Sequence, residues 1–376
     1  MVVKEFKRLF DLNKAPLIRV GFIREVVEKY ILFVDMRHII TDGVSMDIFI
    51  REFMAMNNCK ELPSLRLQYK DYAEWLTSDT QKNDVKKQEK YWVKEFQGEI
   101  PILNFPTDYS RPPVRSFEGD KVTFKVDNEL TRKIKKIVTE LELTPYTFFL
   151  AVYYILLSKY SKQEEIIVGT GVTGRTHADL QNIVNMLPMK NRSQRNKTFR
   201  EFLLEVKIIA LNAFENQDYQ FEELTNRLGI KVDLKRNPLF ETVFQFQNTI
   251  AKRTEDVHVD GEEDDQAKAF QDRYEYNAAR YELMIEAFEF EHSIRMVLTY
   301  STALFKRATM EKFAERYLEF LKQVTEDDTV KLKDIALSHD LLTAAKDTTG
   351  FDFGFESITV PEAGSLKEGE EKDGLK

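Results

Sequence analysis

The chain has 376 residues, a formal net charge of −8 and 43% hydrophobic residues, with 28 Phe and 15 Tyr to fill real cores. That length exceeds a usual single core, so two lobes are expected, and an acidic balance with no basic stripe argues against a nucleic-acid partner. The lone cysteine, Cys59, excludes an intramolecular disulfide and a Cys-based zinc site and fits a reducing cytoplasm; no apolar run is long enough to span a membrane and no signal-peptide core opens the chain.

Residues 4–10 and 16–24 carry strand-like patterns separated by a turn at Asn13-Lys14, with Ile18, Val20 and Phe22 on one face. Tyr30-Ile31-Leu32-Phe33-Val34 is too short and too β-branched or aromatic for a helix and reads as a buried strand. Asp42-Gly43 then closes a tight turn, and Ile48, Phe49 and Phe53 recur at helical spacing. His38 would sit where the strand delivers its last side chain to an edge or cleft, with a carboxylate four residues on. Gly43 suits a backbone needing positive φ or close approach of another group. On these residues alone the pattern is also that of a packed or solvated histidine beside a turn aspartate.

A break at Leu62-Pro63 precedes a helical region from Tyr69, and a helix over 81–96 places Val85, Glu89, Trp92 and Phe96 along one side. Pro101, Pro106, Pro112 and Pro113 mark an irregular passage ending near Gly119, where the lobe boundary is expected: 1–119 and 120–340. The second part opens with a strand over 121–126 and a helix over 128–142. Thr144-Pro145 caps and launches an aromatic helix over 148–160. A short strand follows at 166–169. Thr198 with Glu201 fits a capping box ahead of a buried stripe of Phe202, Val206, Ile209 and Ala213. Phe240, Thr242, Phe244 and Phe246 alternate as one face of a strand, and 255–266 reads as an acidic surface loop. Residues 284–290 and 294–300 form a hairpin pattern, and Met310, Phe313, Tyr317 and Leu321 another amphipathic helix. The tail 341–376 is polar and Gly-rich, with disorder expected from 360. Interleaved strands and helices make the class α/β or α+β.

His38-Ile39-Ile40-Thr41-Asp42-Gly43 matches the second half of a His-His-x-x-x-Asp-Gly pattern. With it stand Phe10-Asp11-Leu12, Ala15-Pro16-Leu17-Ile18-Arg19, Tyr69-Lys70-Asp71-Tyr72-Ala73 with Trp75, and Pro106-Thr107-Asp108 with Arg111-Pro112. Further on come Val168-Gly169-Thr170 with Gly174-Arg175, Gln217-Asp218-Tyr219 with Phe221-Glu222, and Arg236-Asn237-Pro238-Leu239-Phe240. In that order and spacing the sequence resembles a condensation domain of a nonribosomal peptide synthetase, from residue 4 to about 340.

The resemblance implies two chloramphenicol-acetyltransferase-like lobes, each a mixed sheet with flanking helices, with a tunnel between them. Peptidyl or acyl carrier proteins would deliver donor and acceptor from opposite ends on phosphopantetheine, with no intrinsic cofactor. Residues 350–355 resemble a connector toward an adjacent adenylation domain. Three departures stand out. The family's first strands are missing, so the first lobe is expected to be incomplete. Arg37 stands where the motif has its first histidine. Asn216 and Gln220 replace the histidine and proline of a later His-Gln-Asp-Tyr-Pro motif.

The implied reaction is amide formation by an acceptor amine on a donor thioester. An α-amino group has a pKa near 8, so freeing it of its proton at neutral pH costs only about 1 kcal/mol. Orienting two tethered reactants can supply more, roughly 7–11 kcal/mol. His38 is therefore expected mainly to position the amine, and secondly to take a proton as the zwitterion collapses. The resemblance implies that Asp42 is structural, paired with Arg175, and Gly43 would let a backbone N–H approach the developing oxyanion. If His38 faces the tunnel, strand alternation turns Arg37 away from it. Ser45 and His177 are candidates for lining the region between the lobes. The remaining histidines, His258, His292 and His339, are not spaced for a metal site. Competing readings are a catalytically silent fragment that only binds carrier or neighbouring domains, a coenzyme-A-dependent acyltransferase, and an epimerisation domain.

Overall fold

A computed structural model describes Phe6 and residues 8–26, 29–37, 39–41, 43–65, 68–76, 78–173, 184–231, 233–247, 278–290 and 293–336. The acidic segment 255–266 and the tail 341–376 lie outside the described residues. The chain divides into two units, Met1–Ile335 and Ala336–Lys376, and all the described elements belong to the first.

Strands β1 (Ile18–Val26) and β2 (Lys29–Met36) form an antiparallel two-stranded sheet, with Ile18 opposite Met36 and Phe22 opposite Leu32. Ile18, Val20 and Phe22 do share one face, but Val20 and Phe22 are exposed, so it is the outward face. On the other face Arg19 pairs with Asp35 at 3.2 Å and Phe6 packs on Phe33. The described part of 4–10 is not a strand. The Arg19 guanidinium donates instead to the carbonyls of Arg8 (2.6 Å) and Leu9 (3.0 Å). Helices α1 (Gly43–Asn57), α2 (Tyr69–Leu76) and α3 (Asp79–Glu95) follow, α3 capped by the Ser78 side chain. Trp92 and Phe96 bury as the spacing predicts, and Gln81 and Gln88 join them, whereas Val85 and Glu89 are half-buried.

After an irregular passage the chain builds a six-stranded sheet from β3 (Gly119–Val126), β4 (Glu165–Thr173), β5 (Val184–Arg192), β6 (Thr242–Gln247), β7 (Leu283–Glu289) and β8 (Ile294–Ser301). The spatial order is β3-β8-β7-β6-β4-β5. β6 runs parallel to both β4 and β7, and the other neighbours are antiparallel. A parallel neighbour needs a crossover. Between β5 and β6 it contains α6 (Phe199–Glu215) and α7 (Phe221–Arg227).

One sheet face carries Val122, Val126, Val168, Phe244, Leu283, Ile285, Leu298 and Tyr300, all buried. Against it lies α5 (Pro145–Ser161), whose residues 147–157 are buried without interruption. A helix apolar all round belongs inside a protein. The helices α4 (Asn128–Glu140), α6 and α8 (Arg307–Glu326) surround α5. Thr144 caps α5 with Pro145 in its first turn, and the Thr198–Glu201 capping box opens α6, both as expected. On α6, Leu203 and Ala210 are buried, while Ile209 is only half-buried. All four residues of the α8 stripe are buried.

Thr242, Phe244 and Phe246 share one face of β6 as expected, and one correction concerns Phe240. Val243 is buried beside Thr242 and Phe244, so β6 is covered on both faces, as a central strand with parallel neighbours should be. Phe240 does not share the Phe244 face, because it lies in the turn before β6, which begins only at Thr242, and its N–H closes on the Pro238 carbonyl (2.9 Å). The Phe240 ring instead lies over Gly169, where a Cβ would come within 2.2 Å of it.

Candidate active site

The histidine motif is carried by a strand–turn–helix frame. β2 ends at Met36, the Arg37 N–H donates to the Leu17 carbonyl (3.1 Å), and the Ile40 N–H closes on the Arg37 carbonyl (3.0 Å). Thr41 is buried, Gly43 is the first residue of α1 rather than a turn position before it, and Ser45 is buried in the first helical turn. Arg37 is half-buried; Ile39 and Ile40 are exposed. His38, Asp42, Arg175 and His177 lie outside the described residues, as do His258, His292 and His339.

The other motifs resolve into structural roles. Asp108 of Pro106-Thr107-Asp108 accepts from the Lys306 N–H (2.8 Å) and the Thr309 hydroxyl (2.9 Å), capping α8, whose own cap residue has no side-chain bond. Arg111 makes a two-pronged bond to buried Glu282 at 3.0 and 2.8 Å. Arg236 bonds buried Glu241 at 2.7 Å and the Leu103 carbonyl at 3.0 Å. Burial pushes the Glu241 carboxyl up and Arg236 draws it back. Gly171 lies opposite Gln245, whose Nε2 would meet an added Cβ at 2.3 Å.

Helix α6 ends at Glu215, with Asn216 as its C-terminal cap, and the turn from there to Phe221 is read almost entirely by side chains from elsewhere. Trp92 Nε1 donates to the Asn216 carbonyl (2.7 Å). Gln88 Oε1 accepts from the Asp218 and Tyr219 N–H groups (2.9 and 3.0 Å), and its Nε2 donates to Asp218 Oδ2 (3.0 Å). Asn185 Nδ2 donates to the Gln217 and Tyr219 carbonyls (2.7 and 2.8 Å), while its Oδ1 accepts from Phe221 (3.0 Å) and Met186 (2.9 Å). Sequence reading flagged the turn but neither amide.

Glu286 was also unflagged. It is 9% exposed on the sheet face away from α5, and burial pushes its carboxyl up to about 7 while Lys121 pulls it down. Among the described residues no cluster of three or more His, Cys, Asp or Glu is arranged to hold a metal, and no single helix is long and apolar enough to cross a membrane.

The family model described as Condensation domain matches residues 1–345. Bacitracin synthase 3 of Bacillus licheniformis is 41% identical over 344 residues, 90% of this chain and 5% of that protein. Tyrocidine synthase 3 of Brevibacillus parabrevis is 42% identical over 354 residues, 93% of this chain and 5% of that protein. The chain thus spans about a twentieth of those relatives' length. The X-domain from teicoplanin biosynthesis shares the fold, with a TM-score of 0.73 at 21% identity over 89% of this chain and 78% of that one. A family match across nearly the whole chain, carried on a mixed sheet with flanking helices, places this protein among the condensation domains of nonribosomal peptide synthetases.

Proposed function

We propose that this domain joins an acceptor aminoacyl amine to a donor acyl or peptidyl thioester, both held on the phosphopantetheine of carrier proteins, with an adenylation domain as neighbour. The amine nitrogen attacks the thioester carbonyl, the C–N bond forms, the C–S bond breaks, and the ammonium proton leaves with the thiolate as a free thiol. His38 holds the amine on line and relays that proton. Asp42 pairs with Arg175, fastening the motif turn to the 120–340 part, and Gly43 and Ser45 shape the turn's exit. The observation that carries this reading is the strand–turn–helix frame built around His38-x-x-x-Asp42-Gly43 within the family match over residues 1–345.

The test is transfer between loaded donor and acceptor carrier proteins, followed by mass spectrometry of the acceptor arm. Amide product from the parent chain, abolished by His38→Ala with unchanged melting, supports the proposal. Carrier binding without product from the parent would make this a binding module instead.

A further inference from the structure

Resting on that reading, we infer that Gln88 and Asn185, with the 216–221 turn between them, form a positioning joint for the amide-forming reaction. Both amides are buried, Gln88 at 8% and Asn185 at 3% exposure, and each uses its carbonyl and its NH2 at once. Six backbone groups of the turn are satisfied by three side chains, counting Trp92. Apolar packing would hold such a turn only loosely. Directional bonds fix it in one register, because any slip leaves buried donors and acceptors unpaired.

The joint sits where two halves of the proposed machinery are anchored. Gln88 and Trp92 lie on α3, the last helix of the stretch that begins with the His38 frame. Asn185 is the second residue of β5, paired with Val172, beside the pairing of Val184 with Thr173 that ends β4. Those two strand ends are the points from which the chain departs toward Arg175 and returns. Holding both on one turn sets α3 against the ends of β4 and β5. The same link is reinforced by Arg227 of α7, which pairs with Glu89 of α3 at 2.9 Å.

The test exchanges the roles of donor and acceptor in the full chain. Gln88→Glu sets a carboxylate against Asp218, and adding Asp218→Asn supplies the missing donor with the direction reversed. Expected for Gln88→Glu is a fall in kcat of about tenfold with KM for the loaded acceptor carrier changed by less than about threefold, recovered in the double variant. Backbone amide exchange, which needs no activity, should rise in 218–221 and also in 185–187, and return to the parent rate in the double variant. A kcat within about twofold of the parent, a double variant as slow as the single, or exchange that rises at 218–219 alone would overturn the joint. If the parent makes no amide, the proposed function fails, and the exchange pattern decides the joint by itself. Should Gln88→Glu not fold, Asp218→Ala alone, which removes the acceptor of the 3.0 Å bond and leaves both backbone N–H bonds to Gln88 in place, carries both readouts.

Discussion

Gly169 and Gly171 stand two residues apart on one face of β4, yet substitution should treat them very differently. An added Cβ at Gly169 meets the Phe240 ring at 2.2 Å, and that ring is itself packed against Phe221 and Tyr281. At Gly171 the first obstacle is the far end of Gln245, a flexible chain that can turn aside. Gly169→Ala is expected to cost about 1–3 kcal/mol in urea unfolding and Gly171→Ala only a few tenths. Equal costs would mean that Phe240 yields as readily as Gln245. Glu286 gives a pH signature. Its folded carboxyl keeps a proton to about 7, above the ordinary 4.5, so the folded state loses stability as pH rises from the lower value through the higher. Glu286→Gln should therefore melt above the parent near pH 8, by up to about 3 kcal/mol, with the gap closing below about pH 4.5. A gap independent of pH would assign the effect to packing instead of ionisation.

Helix starts were the most legible elements, because their chemistry is local. Thr144-Pro145 and Thr198–Glu201 announce α5 and α6 within four residues, and both caps form. The start of α8 is different: its side-chain cap comes from Asp108, about 200 residues away in the chain. Asp108→Ala should cost about 1–2 kcal/mol, with Asp108→Asn retaining most of it, measured by chemical denaturation. Equal losses would show that charge, not the acceptor oxygen, matters. Strand β5 escaped sequence reading because Pro188 interrupts its pattern; at the sheet's edge the missing N–H is tolerated. Phe240 falls on the other face because β6 begins only at Thr242, and the apolar alternation runs on through the preceding turn with nothing in it to mark the strand's start. The motif turn 216–221 was visible, but its readers were not: Gln88 lies 130 residues from Asp218, and a bond of that span leaves no periodic trace.

At the scale of the whole molecule, the fold class and family were readable from motif order alone, and the His38 frame appears as strand, turn and helix. If Asp42 and Arg175 join the two parts of the domain, Asp42→Ala should lower folded yield and cost about 3–5 kcal/mol, because it would leave the guanidinium without its partner charge. Normal melting with only slow turnover would instead place Asp42 in the chemistry. The sheet order also bears on how the chain is made. Among the described residues β3, the earliest of the six strands, pairs only with β8, the last of them. A ribosome emitting about 5–20 residues per second leaves β3 waiting roughly ten to thirty seconds for its mate. During that interval its apolar side is open to any passing edge, so nascent chains of this domain should lean on a holding chaperone until Ile294–Ser301 emerges.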